Sequence, residues 1–305
     1  MKKAYWFLLK LFLTVAILTA LIINIGLKNL LLSLQTIHYS WFAAVAALIF
    51  IELLVGAFNV YILIRYGLRH SISFAALFDA YLTSWGIGLL TPGKVGDVGF
   101  AYFLEREGLP FGKGTAVLLL DSFTTILVLA VASGTGLWYF FGFQDVLLLL
   151  IVVGIVFLSL LLLLSFQVRA LLIRILGKWA IYFRGFSKSA SVLLRERPQI
   201  LVFNFGITIV KWFLIFLNFY FGFKALGHVV PYFVILLVAP LARLVSMIPL
   251  TINGLGIRES VAVYLFDQFA IPSGVVLSTY FSMLILNYLF AAVLVFSYSF
   301  FRRRA

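Results

Sequence analysis

The chain has 305 residues, of which 64% are hydrophobic and only 11% charged, against about 25% in an ordinary soluble domain. This composition excludes a soluble globular protein and points to an all-α polytopic membrane protein. The absence of cysteine excludes disulfides, thiol catalysis and cysteine metal centres, and the formal net charge of +13 fits cytoplasmic loops facing anionic lipid better than a nucleic-acid partner.

The N-terminus, MKKAYWFLLKLFLTVAILTALIIN, starts like a signal peptide. Its apolar run is too long for one and no cleavage site follows, so it reads as an uncleaved first helix. Runs of roughly 20 apolar residues mark six spans, at about 6–26, 41–64, 115–140, 146–166, 200–223 and 273–300. Two further apolar regions, 74–110 and 231–271, are each broken near the middle, by TPGKVGD and TINGLG. Their arms are short for a full crossing, so each is expected to be a re-entrant helical hairpin. The whole chain, 1–305, reads as one transmembrane domain. It comprises an N-terminal half (1–166), a cytoplasmic amphipathic loop (167–199) and a C-terminal half (200–305).

With the N-terminus inside, 17 of the 23 lysines and arginines fall on cytoplasmic segments and only Lys28 and Lys224 outside. That asymmetry follows the positive-inside rule and places both termini in the cytoplasm, here the inner membrane of a prokaryote. Charge sets orientation but does not separate a re-entrant hairpin from a spanning pair. In the long loop, Arg169, Arg174, Lys178, Arg184, Lys188 and Arg195 share one half of a helical wheel. This suits an interfacial amphipathic helix as well as an ordinary positive-inside loop.

The two breaks read as copies of one design. Thr91, Gly96, Asp97, Tyr102 and Pro110 recur in order as Thr251, Gly256, Glu259, Tyr264 and Pro272. In the assigned topology the copies open to opposite sides, the inverted repeat of many transporters, whose sites lie where interrupted helices meet near the midplane. Gly93, Gly96, Gly254 and Gly256 free the backbone to turn N–H groups toward a ligand. Lys94 and Arg258, with Arg243 close in sequence, supply positive charge, and helix N-termini after each break favour an anion. These are the candidate substrate-binding residues. Pro92, Asp97, Asp121 and Glu259 are assigned to gating or charge organisation; pairing of Asp97 with Lys94, and of Glu259 with Arg258 or Arg243, serves equally well as plain neutralisation. Glu52 and Asn59, seven apart, share a helix face and read, with Asp79 and Lys211, as packing or interface groups. No metal motif, catalytic set or cofactor motif is present; the three histidines are widely separated.

LLTPGKVGDVGFAYFLEREGLPFGKGTAVLLLDSFTTILVL and MIPLTINGLGIRESVAVYLF resemble the two signatures of the lysylphosphatidylglycerol synthase/flippase transmembrane-domain family. The first signature is Pro-Gly-basic-x-Gly-acid followed by an acid opening the next span; the second is Gly-x-Gly-x-Arg-Glu. The resemblance covers about 75–300. It implies a flippase-like transporter that moves an anionic or aminoacylated phospholipid between leaflets, and it implies site roles for Pro92, Gly93, Lys94, Gly96, Asp97, Asp121, Gly254, Gly256, Arg258 and Glu259. Asp121-Ser122 replaces the family's usual Glu-Arg, and Asn253 replaces a small residue. The alternatives are a membrane-embedded transferase on a lipid-linked substrate and a non-catalytic partner of a separate lipid-modifying enzyme. Because FRRRA follows the last span directly, lipid aminoacylation by this chain is not expected. A homo-oligomer is compatible with all three.

Overall fold

A computed structural model describes residues 2–26, 28, 37–90, 95–163, 185–248 and 250–302. The elements in chain order are α1 (Lys2–Ile25), α2 (Tyr39–Ile62, continued by a π-type turn, Leu63–Gly67), α3 (Phe74–Leu90) and α4 (Val95–Arg106). After them come α5 (Phe111–Phe140), α6 (Phe143–Leu163) and α7 (Phe186–Ser191, continued by a second π-type turn, Val192–Glu196). The C-terminal part holds α8 (Pro198–Ala225), α9 (Tyr232–Val245), a 3-10 turn (Ile252–Gly254), α10 (Ile257–Asp267) and α11 (Ser273–Arg302). No strand occurs among the described residues. In a bilayer every backbone polar group must be satisfied within the protein, which leaves a chain this apolar with helices.

Four helices among the described residues are long and apolar enough to cross a membrane: Tyr39–Gly67, Phe111–Phe140, Pro198–Ala225 and Ser273–Val293. Shorter apolar helices run over Leu11–Ile25, Phe143–Ile155 and Tyr232–Val245. The elements bracketing the breaks are short. α3 has 17 residues, α4 has 12, α9 has 14 and α10 has 11. At 1.5 Å per residue these are about 25, 18, 21 and 16 Å long, below the ~30 Å hydrocarbon core.

Two cores organise the bundle. One gathers Val60, Leu63, Leu77, Phe100, Leu104, Val117 and Leu193 from α2 to α5 and the turn after α7. The other gathers Leu129, Trp212, Phe216, Phe223, Val238, Phe266 and Tyr280 from α5 and α8 to α11. The two π-type turns dock at one end of the bundle. A Cβ on Gly67 would lie 2.4 Å from Leu193 Cδ2, and the Arg197 guanidinium donates to the Tyr66 carbonyl. At the other end Lys224 lies over the rings of Trp41 and Tyr220, at 4.7 and 4.8 Å from their centroids, an aromatic–cation cluster suited to a membrane interface. Residues 167–184 of the predicted amphipathic loop (167–199) lie outside the described residues; of it, α7 and its turn are seen.

Candidate functional site

The first break, Thr91 to Lys94, lies outside the described residues, and with it Pro92, Gly93 and Lys94. What surrounds it is described. α3 and α4 meet at closest approach where Gly96 faces Gly88: a Cβ on Gly96 would fall 2.7 Å from Gly88 Cα and 2.8 Å from the Ser84 carbonyl oxygen. The Ser84 hydroxyl donates to the Gly96 carbonyl. Gly96 is thus the close-approach residue of the hairpin, and Asp97 is the third residue of α4.

The second break is built from backbone that favours glycine. Asn253, Gly254 and Gly256 have φ of 52°, 72° and 86°. At Gly254 a Cβ would also lie 2.4 Å from Ser246 Cβ, so neither the conformation nor the space admits a side chain. Glu259 is the third residue of α10, whose N-cap is Gly256. Its side chain is fully buried, and Oε2 accepts the N–H of Gly256 at 2.6 Å, satisfying an N-terminal donor of the helix. Oε1 accepts Arg258 Nε and Nη2, at 3.0 and 2.5 Å. Glu259 therefore caps its helix and pairs with Arg258 at once.

The second break touches the end of α3. Asn253 Nδ2 donates to the carbonyls of Gly88 and Leu89, 3.2 Å each, and the Tyr288 hydroxyl of α11 donates to Leu89 O at 3.1 Å. The last carbonyls of a helix lack intrahelical partners, and inside a membrane they need donors from elsewhere in the protein. The second break and α11 supply them. α1 completes the junction: Ile252 N–H donates to Thr14 Oγ1 at 2.9 Å, and a Cβ on Gly256 would lie 2.9 Å from Ile17 Cγ2. Asn253 and Thr14 were not singled out from the sequence; an asparagine where a small residue is usual was the only trace of the contact.

Beside this junction sit two arginines. Arg243, in the last turn of α9, is exposed and lies with its guanidinium 5.9 Å from the Trp212 ring centroid. Arg258 lies 5.4 Å from the Tyr280 centroid. The two guanidiniums are near enough to repel, and Glu259 attracts both. Arg243 forms no ion pair among the described residues, so two positive charges share one carboxylate. Both underlying rings carry a buried polar atom without a partner, Trp212 Nε1 and Tyr280 OH, and so does Thr251 at Oγ1. The neighbourhood is rich in donors and short of negative charge. Trp212 and Tyr280 were missed from the sequence because nothing local separates them from the other aromatics.

Asp121 stands apart from the arginines. It lies on α5 and its Oδ1 accepts Asn59 Nδ2 from α2 at 3.0 Å and Asn204 Nδ2 from α8 at 2.9 Å. Glu52, two turns before Asn59 on the same face of α2, accepts Asn218 Nδ2 at 3.1 Å and is near enough to Lys211 for the charges to attract. Asp79 is exposed on α3. No group of three His, Asp or Glu side chains is placed to hold a metal among the described residues.

No curated protein and no solved structure matches the chain. The sequence profile of the family described as the lysylphosphatidylglycerol synthase TM region matches residues 7–294. That match covers nearly the whole chain and both breaks, and the protein, a membrane protein of a lipid-related family, belongs to the lysylphosphatidylglycerol synthase transmembrane-region family.

Proposed function

We propose that this protein is a flippase-like transporter that moves an anionic or aminoacylated phospholipid between leaflets. The observation that carries the proposal is the Arg243–Arg258 pair with its single shared carboxylate. A charge within a membrane costs about 2.5–3.5 kcal/mol on insertion scales, and two cations opposite one buried acid leave that cost uncompensated unless an anion joins them. A headgroup phosphate supplies the missing charge and accepts from guanidiniums in a bidentate manner. Trp212 N–H and Tyr280 O–H are further donors for its oxygens. Lys94 adds charge from the first break.

The helices bracketing the second break are short for a crossing, and in this proposal both breaks form re-entrant hairpins of opposite orientation, with the acyl chains left in the bilayer. Both termini are cytoplasmic, and the membrane is the inner membrane of a prokaryote. Asn253 holds the hairpins together in the state described here, and loss of its contacts to Gly88 and Leu89 accompanies their alternate opening. No covalent step is assigned to the chain.

The test is headgroup translocation in liposomes with the reconstituted protein. Wild type is expected to accelerate translocation of a fluorescent anionic phospholipid, with Arg258→Ala and Arg243→Ala lowering the rate at least tenfold, the loss of one charge-assisted contact. Equal rates for wild type, both variants and empty liposomes would exclude transport.

A further inference from the structure

The anion site has a counterpart of opposite sign. Asp121 is the eleventh residue of α5, about 15 Å from the helix start. It forms no ion pair among the described residues, and its only hydrogen bonds there are the two amides that reach Oδ1. Asn59 Nδ2 also donates to Thr208 Oγ1 at 2.9 Å, and Thr208 donates to the Asn204 carbonyl at 2.8 Å. Asn59, Asn204 and Thr208 are completely buried. The amides spend their donors on the carboxylate, and the amide oxygens, Asn59 Oδ1 and Asn204 Oδ1, are left buried with no donor. An amide oxygen lies roughly 2.3 Å from its nitrogen, so both orphan oxygens are within about 5 Å of Asp121 Oδ1.

Among the described residues the three-helix junction therefore has one half-buried carboxylate, two buried and unpartnered amide oxygens and a hydroxyl, with no basic side chain paired to it. Leaving a buried acceptor unpaired costs about 1–3 kcal/mol each, and an unpaired charge costs more. A proton on Asp121 would cancel the charge and supply one donor, which can serve at most one of the two amide oxygens. A cation bound by oxygens answers both. Carboxylate, amide and hydroxyl oxygens are hard ligands, which excludes copper and zinc, and a divalent ion would leave an excess of positive charge in the membrane.

We propose that Asp121, Asn59, Asn204 and Thr208 form a binding site for a monovalent cation, and that the cation is sodium. The site adjoins the arginine pair without sharing a residue with it: Trp212 is four residues beyond Thr208 on α8, about 6 Å along the helix. Both sites hang on the same helix, so α8 is the element through which occupancy of one is felt at the other. Along the packed helices the charged residues are Glu52 and Arg65 on α2 and its turn, Lys113 on α5, Arg197 at the start of α8, and Lys211 and Lys224 within it; of these, Glu52 and Lys211 attract each other, and none forms an ion pair with Asp121 among the described residues.

The experiment is thermal unfolding of the purified full chain in choline chloride, KCl and NaCl at equal ionic strength. The midpoint is expected to rise by roughly 2–4 °C between sodium-free buffer and about 0.15 M NaCl, and not in the other two salts. Asp121→Asn, which keeps the shape and an acceptor oxygen, is expected to abolish the rise. Thr208→Val is expected to shift the sodium concentration needed by about tenfold. Identical midpoints for wild type in the three salts would overturn the proposal, as would a midpoint that follows pH and ignores sodium, which would mark a proton site. A sodium rise undiminished in both variants would overturn the assignment to these residues. None of these outcomes depends on lipid transport, so they leave the function proposed above to its own test.

Discussion

Asn253 illustrates how one side chain can connect two halves of a membrane protein. Its φ of 52° is tolerated because asparagine visits the left-handed region more readily than other residues with a side chain, and its amide then reaches two carbonyls at the end of α3. Asn253→Ala removes both bonds and leaves those carbonyls with Tyr288 alone at Leu89, so a loss of about 1–3 kcal/mol is expected in chemical unfolding. An unchanged midpoint would show that the contact carries no weight. Gly96→Ala is expected to cost a similar 1–3 kcal/mol for a different reason, since its Cβ would meet Gly88 Cα and the Ser84 carbonyl, both backbone. Tyr280→Phe keeps the ring beneath the Arg258 guanidinium and deletes only the unpartnered hydroxyl. Stability is expected to hold or rise, while affinity for anionic lipid falls about tenfold, because the deleted donor serves the ligand and not the fold. At this scale the sequence was legible where chemistry is local. Arg258-Glu259 could be read as a pair because the two are adjacent. Asp121 could be read as an acid in a span, but its partners are 62 and 83 residues away, and no periodicity announces such distances. Asn59 read as a packing residue for the same reason: its seven-residue spacing from Glu52 gives the face it shares, not what the face meets.

Among the elements, the helices around the breaks were the most legible, since glycine, proline and charge interrupt an otherwise apolar pattern. The acid that follows each break lies on a helix, Asp97 on α4 and Glu259 on α10. The contact between α1 and the second break was not legible, because α1 carries only an apolar run and one threonine near its middle. Thr14→Val keeps the volume and removes the acceptor of the Ile252 N–H. Amide exchange over 250–256 is expected to accelerate, with exchange in α5 and α8 unaffected. Acceleration throughout the bundle would instead mean that α1 supports the whole fold and not the break in particular.

For the whole molecule, hydropathy and loop charge determine an all-helical membrane bundle and its expected orientation, but not how short helices lie in depth. The chain has no cysteine, so single cysteines can be placed without background. With a membrane-impermeant maleimide, Gln199→Cys is expected to label only from the cytoplasmic side and Ser40→Cys only from outside. Leu90→Cys, at the end of α3, is the sharper position. A re-entrant hairpin keeps it unreachable from outside, whereas a spanning pair would expose it there. The distribution of charge also operates at this scale. A donor-rich region on α8 to α11 and an acceptor-rich one on α2, α5 and α8 share a single helix, and the two proposals give each an ion of the opposite sign.

Native mass spectrometry of the purified protein reads the first of these imbalances directly. Wild type is expected to retain an anionic phospholipid, and Arg243→Ala combined with Arg258→Ala is expected to lose it while the helical content by circular dichroism stays unchanged. Retention of the same lipid at the same occupancy by the folded double variant would contradict the assignment of the arginine pair as the headgroup site.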